Sequence, residues 1–447
     1  MKRIHQLILP GLAVVLVVTG CRGLTATGEK SARQDLAAVG GQLQTNAPVL
    51  ITNATLRDAV NFALRNHPQV TAAYADWAAS VETITVARSL PDPKFTFELY
   101  AADIVSSLMP GLMADIPGPG KLSARAAAAS AESRVKYFQF ATAVQQTAFA
   151  VKKSFYPLHF LDAKLAVNRQ TLALLAELEA LARAQNEVGQ ATLQDVLRAQ
   201  IEQEKLQTET INLEDSRHVL LAQFKAALGL HAEQADPPVP TEAVFTETLW
   251  NEESLAIALN QNPKLKAMEA EIRVADASIR VAGKEKIPDF SVGGEVDVKA
   301  SPFIWNPQFS MTLPIWRDKL AAELASAQAG KRAAEARLSA EQIALAVDFI
   351  EQAYLIREAD RELTLLRERI LPRAKQSLEI ARAAYRSSRV DFLNVIDDER
   401  SLLNFQLDEI AAQTQREIAR AELTLLIAGV PPENAPLLKT KASKTTR

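Results

Sequence analysis

Two very long stretches of this chain repeat apolar residues at spacings of three and four with almost no helix breaker. Between about 120 and 188, Pro157 is the only proline, and Leu172, Leu175, Leu178 and Leu181 fall on one stripe. At 1.5 Å per residue, a helix of that span reaches on the order of 100 Å. A second such stretch runs from about Asp318 to Ser387, with Pro372 inside it. Returning helices are expected over about 192–228 and 391–428, closing near Gly229 and Gly429. Helices this long need continuous lateral partners, so coiled-coil or barrel packing is expected. Runs of alanine at Ala126 to Ala129 and at Ala321-Ala322 suit close packing on two faces, or simply reflect helix propensity.

The remaining pattern has a period of two. Phe95 to Leu99 alternates apolar and polar, as do Phe290 to Lys299 and Gln308 to Leu313. Phe290, Val292, Val296 and Val298 then share one face, and Ser291, Glu295, Asp297 and Lys299 the other. Hairpins are expected at about 93–117 and 288–314, the first with a less regular return strand because Pro110-Gly111 interrupts it. One reading is a pair of half-buried hairpins on a soluble domain. The other is a transmembrane barrel wall, apolar outside and charged inside. On the membrane reading, the four strands of one chain cannot close, and lipid tolerates no open sheet edge. Three copies supply twelve strands, enough for a barrel with an aqueous lumen.

The sequence contains an internal duplication. Asn66-His67-Pro68 returns as Gln261-Asn262-Pro263, Leu90-Pro91-Asp92 as Ile287-Pro288-Asp289, Ile116-Pro117 as Leu313-Pro314, and Lys121-Leu122 as Lys319-Leu320. The domain boundaries follow: a first repeat over 51–235, a second over 236–430, and a disordered tail over 431–447. At the front, Met1-Lys2-Arg3 precedes an apolar run too short to span a bilayer, ending in Val18-Thr19-Gly20-Cys21. This resembles a bacterial lipobox, so residues 1–20 are expected to be a lipoprotein signal peptide. Cys21 is then the lipid anchor, carrying palmitate-type acyl chains, and 21–50 an extended tether.

Composition narrows the function. The 50 Lys and Arg nearly balance the 53 Asp and Glu, so no global field argues for nucleic acid. One cysteine and five scattered histidines exclude a disulfide framework and argue against a metal cluster. No phosphate loop, Ser/His/Asp signature or HExxH stands in the sequence, so an enzyme is not expected, nor any cofactor beyond the lipid at Cys21.

With the tandem halves and two helical turns in view, the chain resembles the TolC family of outer-membrane factors. The turns are Val188-Gly189-Gln190-Ala191-Thr192-Leu193-Gln194-Asp195 and Tyr385-Arg386-Ser387-Ser388-Arg389-Val390-Asp391. The resemblance implies a mainly α fold with four strands per protomer in a trimeric barrel of twelve strands, continuing into a periplasmic α-barrel. It implies a homotrimer in the outer membrane, working with a periplasmic adaptor (a membrane fusion protein) and an inner-membrane pump, such as a resistance-nodulation-division transporter. Val188, Gly189, Arg386, Ser387 and Ser388 would form the adaptor-contacting tip. Asp195, Tyr385, Asn394 and Asp397 would form the gate and its constriction, Asp195 and Tyr385 as a hydrogen-bonded pair. Ser388 stands where glycine is usual, so a tighter or differently hydrogen-bonded second turn is expected. The Pro117-Gly118-Pro119-Gly120 and Pro314-Ile315-Trp316-Arg317 corners resemble the heavy-metal branch of the family. The contrasting reading is a lipid-anchored periplasmic coiled-coil protein, structural or adaptor-like, without a pore.

Overall fold

The computed structural model describes residues 27–44, 54–101, 105–240, 252–302 and 304–438. Cys21, and with it the proposed signal peptide, lies outside the described residues. In the first half, α1 is Thr27–Gln44, α2 Leu56–Asn66, α3 Pro68–Arg88, β1 Lys94–Ala101, β2 Val105–Ile116, α4 Lys121–Glu187 and α5 Leu193–Ala227. In the second half, α6 is Glu252–Gln261, α7 Pro263–Lys284, β3 Phe290–Asp297 and β4 Ile304–Met311. There follow α8 Arg317–Leu365, a π-helical turn Leu366–Ile370, α9 Leu371–Arg386, α10 Phe392–Glu422 and a second π turn Leu423–Ile427. The duplicated landmarks thus produce duplicated elements: short helix, helix, hairpin, long helical hairpin.

Each breaker has a local consequence. Helix α4 runs through Pro157 unbroken for 67 residues. The second long helix instead widens by one residue just before Pro372, where Leu371 N bonds Leu366 O across the π turn. A proline lacks the amide and crowds the carbonyl four residues back, and the wider turn relieves that crowding.

The chain divides into two compact units. One comprises the described residues of Met1–Val39, Tyr74–Phe138 and Ala267–Ser339. It holds the one sheet found among the described residues, antiparallel in the order β1-β2-β3-β4, so the two hairpins join through β2 and β3. Strand β2 is twelve residues long and continuous through Pro110-Gly111; its irregularity lies nearer its start, where the register with β1 shifts between Tyr100 and Ala101. Pro110 fits because its partner there is Phe97 of β1, while the paired run of β2 with β3 begins one residue later at Gly111.

The segment expected as an extended tether is helical over α1, which docks inside this unit. Glu29 is buried and accepts Arg88 Nε at 2.5 Å, Thr85 Oγ1 at 2.8 Å and Arg33 Nε at 3.4 Å. A buried carboxylate with three donors fixes a helix that propensity alone would leave marginal. Gly28 passes so near α4 that a β-carbon there would stand 2.7 Å from Ser130 Oγ.

The other unit comprises the described residues of Gly40–Ala73, Gln139–Lys266 and Ala340–Arg447. Its core includes Phe140, Phe155, Phe224, Leu158 and Leu228. Residues 431–438, expected to begin a disordered tail, are placed here: Arg57 pairs with Glu433 at 2.7 Å and Pro436 is buried. Residues 439–447 lie outside the described residues.

Candidate functional site

One face of the sheet is apolar throughout, while the other carries the polar side chains together with Met109, Met113 and Ile304. Antiparallel partners share a face, so Phe95, Phe97 and Leu99 of β1 lie with Leu108, Pro110, Leu112, Ala114 and Ile116 of β2. The same face continues through Phe290, Val292, Gly294 and Val296 of β3 to Trp305, Pro307, Phe309 and Met311 of β4. Val298 and Lys299, expected to extend β3, fall in the bend beyond it. Much of this apolar face is open: Phe95 is 72% exposed, Phe309 68% and Trp305 66%. Gly294 leaves room for Trp305, whose Nε1 would lie 2.8 Å from a β-carbon there.

The opposite face carries the polar groups, paired across strands. Lys94 meets Asp115 at 2.8 Å, and the Ser291 hydroxyl donates to Asp115 at 2.6 Å. Ser107 donates to Asp297 at 2.9 Å, and Thr96 to Glu295 at 3.4 Å. Glu295 is buried beside Gly111, where a β-carbon would stand 2.3 Å from its Cγ. Apolar side chains outward and a hydrogen-bonded polar ladder inward are what a barrel wall in lipid requires. Strands of eight to twelve residues match the roughly nine to eleven that a tilted crossing needs.

A corner joins the hairpins to the long helices. Lys121, the first residue of α4, is buried and meets Asp289 Oδ2 at 2.9 Å and Glu285 Oε2 at 3.1 Å. The other oxygen of Asp289 accepts Gly118 N at 2.7 Å. Gly118 must be glycine, since a β-carbon would stand 2.3 Å from Pro288 O. Repetition of the Pro-Asp landmark was legible in the sequence; this lock between the halves was not.

The two helical turns share one geometry. Gln190 N bonds Gln185 O at 2.8 Å and Gly189 N bonds Asn186 O at 3.0 Å, with Gly189 at φ +75°. In the second turn Arg389 N bonds Ala384 O and Ser388 N bonds Tyr385 O, both at 2.9 Å, with Ser388 at φ +53°. Both are Schellman endings with the left-handed residue at the same place. The second turn is therefore not differently hydrogen-bonded, as the serine led us to expect; Ser388 takes the left-handed conformation itself. Val188, Gly189, Arg386, Ser387 and Ser388 are all exposed, and Gln185 Nε2 ties the turns together by donating to Tyr385 O at 3.1 Å.

Behind the turns, Leu175, Leu178 and Ala182 of α4 pack with Val196 and Ala199 of α5, Leu378 of α9, and Phe392, Val395 and Ile396 of α10. The expected gate residues divide here. Tyr385 is buried against Phe392 with ring centroids 5.2 Å apart. Among the described residues its hydroxyl has no hydrogen-bond partner, so the expected bond to Asp195 is not made within the chain. Burial pushes this phenol up to about 12, and the Asp195 charge adds to the shift. Asp195 instead caps α5, accepting Thr192 N at 3.0 Å, because it stands at the third helical position where a carboxylate reaches back to the cap. Asn394 and Asp397 are exposed on α10, with Arg400 Nη1 3.9 Å from Asp397.

One turn further on, Glu399 continues the buried stripe of Phe392, Val395 and Ile396. It is 2% exposed, and one of its carboxylate oxygens has no hydrogen-bond partner among the described residues. Arg400 beside it is bound instead to Glu202 of α5. Burial pushes Glu399 up to about 7, with the Glu202 charge adding and Arg400 opposing. Sequence reasoning passed over this residue, although its place at core spacing among apolar neighbours was visible. Among the described residues no three His, Cys, Asp or Glu side chains gather as a metal site, and no helix is long and apolar enough to cross a membrane.

Duplicated helical hairpins with one amphipathic four-stranded sheet are the fold of the TolC-like outer-membrane channels. The chain belongs to the outer membrane efflux protein family, whose profile matches residues 59–230 and 255–429, one match in each repeat. This is a family of channels, not of enzymes. Among solved structures, the outer membrane protein VceC of Vibrio cholerae is similar with a TM-score of 0.70 at 17% identity, over 83% of this chain and 96% of that one. The MtrE outer membrane channel of Neisseria gonorrhoeae, in its open state, gives 0.70 at 18% identity, over 86% and 94%. CusC, described as forming a transmembrane channel, gives 0.73 at 16% identity, over 86% and 96%. Comparison with curated protein sequences gives no match.

Proposed function

We propose that three copies of this chain close a twelve-stranded barrel in the outer membrane and form the exit duct of a tripartite efflux system. A periplasmic adaptor engages the two helical turns, and an inner-membrane pump, of the resistance-nodulation-division type, delivers the cargo. The observation that carries this reading is the unbroken apolar face across all four strands, backed by a polar face. On a water-soluble domain that face would be an exposed apolar patch far larger than monomers tolerate. The helices support the same conclusion. Ile343, Val347, Ile350 and Tyr354 of α8 recur at spacings of four and three, yet all are exposed within the chain. A stripe of that spacing calls for a neighbouring helix.

A lipid on Cys21 anchors each copy, by the lipobox argument. The cargo is either an organic or toxic solute or, from the resemblance of the corner motifs, a heavy-metal cation; in both cases the pump selects it and the duct conducts it passively. The reading is tested by purifying the protein in detergent and recording from planar bilayers. Heat-stable trimers on gels and discrete single-channel currents are expected; a monomer without currents would leave only the coiled-coil reading. Growth of a deletion strain on metal salts and on organic toxins separates the two cargo classes.

A further inference from the structure

The internal duplication specifies how one copy joins the next. Asp92 and Asp289, Pro110 and Pro307, and Ile116 and Leu313 each stand 197 residues apart. The two hairpins obey the same offset in space: Lys94 faces Met113 as Ser291 faces Ser310, and Phe95 faces Leu112 as Val292 faces Phe309. Strand β1 is therefore the counterpart of β3, and β2 of β4. Within the chain the counterparts meet once, where β2 pairs with β3, setting Met113 opposite Gly293 and Ala114 opposite Val292. The other meeting, β4 with β1, cannot occur within the chain, because these are the two edges of the sheet.

We propose that β4 of one copy pairs with β1 of the next in the register that β2 keeps with β3, and that Asp92 of the second copy there engages Lys319 of the first. This rests on the channel reading and goes beyond it, because it fixes the register and names the ion pair. Applying the offset sets Ser310 opposite Thr96, Phe309 opposite Phe97 and Met311 opposite Phe95. The match is chemically coherent: two apolar pairs fall on the lipid face, and the hydroxyl pair falls on the polar one. At the corner, Asp289 holds Lys121 at 2.9 Å within the chain. Its counterpart Asp92 is exposed, and Lys319, opening α8, is 70% exposed, its one ion pair among the described residues being with Glu323 at 3.7 Å. The second corner has one more residue, Lys319 standing five after Pro314 where Lys121 stands four after Pro117. The helix also begins earlier, at Arg317, which makes that arginine the competing cation.

Two experiments on the full-length protein decide this. Ser310→Cys combined with Thr96→Cys is expected to give covalent trimers on mild oxidation, since a disulfide requires Cα atoms within roughly 7 Å. Ser310→Cys combined with Glu98→Cys, two residues out of register, is expected to give none, as are the single variants. Bridging only in the second pair overturns the register. For the latch, Asp92→Lys and Lys319→Asp are each expected to lower the temperature at which trimers dissociate, and the double variant to restore it. Singles without effect, or rescue of Asp92→Lys by Arg317→Asp instead, overturn the assignment to Lys319. If none of these variants nor the unaltered protein is a trimer, the channel reading falls as well; trimers bridged out of register leave it standing.

Discussion

Gly429 rests directly against the backbone of Asn262: a β-carbon on Gly429 would stand 2.8 Å from Asn262 Cα. The first half repeats the arrangement, with 2.7 Å from such an atom on Gly229 to His67 Cα. Both glycines also have positive φ, +68° and +79°. The returning helix of each repeat therefore ends on the opening of the same repeat, and an L-residue at either place meets backbone that cannot yield. Gly429→Ala is expected to cost at least about 2 kcal/mol, from left-handed strain and the clash together. Gly283→Ala, in α7 with open space around it, is expected to stabilise by about 0.5–1 kcal/mol. Thermal unfolding of the two variants side by side checks the contrast.

Asn262 itself works at both ends of that contact. Its amide donates to Leu426 O at 2.8 Å and Ile427 O at 3.0 Å, and its Oδ1 accepts Lys264 N at 2.8 Å at the start of α7. Asn262→Ala strips a helix cap and leaves buried carbonyls unpaired, so a loss of about 2–4 kcal/mol is expected. Asn262→His, the residue the first repeat uses, is expected to recover part of it. A denaturant titration measures both.

Glu399 predicts a pH dependence with a definite sign. Its folded value, about 7, lies above its ordinary 4.5, so the folded state holds the proton more tightly. Stability is then greatest below the ordinary value and falls as pH rises from about 4.5 to 7. Across that window the loss is on the order of 3 kcal/mol per chain. Glu399→Gln removes the ionisation, so the melting temperature of the variant should exceed that of the parent at pH 8 and match it at about pH 4. A parallel pH course for parent and variant would refute the assignment.

The tip separates fold from partner. Ser388→Gly relieves a left-handed serine and should raise stability by about 1 kcal/mol without touching export. Gly189→Trp projects into open space, and in a cell it should abolish export while the trimer persists. Export by that variant at the normal rate would remove Gly189 from the adaptor surface.

At the gate, Tyr385→Phe loses a hydroxyl that has no hydrogen-bond partner among the described residues, so the fold should not weaken. If the phenol holds neighbouring copies shut, closed-state conductance rises in bilayer recordings. Asp195→Ala should raise conductance too, and in addition lose about 1 kcal/mol of stability with the α5 cap. Unchanged conductance in both variants would end the gate reading.

The errors of the sequence reading have a common cause. The tether over 21–50 was expected to be extended; its described part, Thr27–Gln44, is helical because Glu29 finds Arg88 and Thr85, residues some fifty to sixty positions away. The tail over 431–447 was expected to be disordered; in its described part, 431–438, Glu433 is held by Arg57, some 376 positions earlier in the chain. Asp195 and Tyr385 were paired through the family resemblance; within one chain Asp195 accepts from Thr192 N at the α5 cap and the Tyr385 hydroxyl has no hydrogen-bond partner among the described residues, so the pairing is a matter for neighbouring copies.

By itself the sequence determined the elements, because helical and strand periodicity, proline breaks and glycine endings act between neighbours a few positions apart. It also determined the duplication, and with it two hairpins and two helical hairpins. Only the tertiary structure decided that β2 lies beside β3, that Asp289 locks the first corner, and that Glu399 is buried with one carboxylate oxygen unpaired among the described residues. Those depend on which groups meet across roughly two hundred residues, and no local spacing encodes what stands opposite a side chain once the chain has folded.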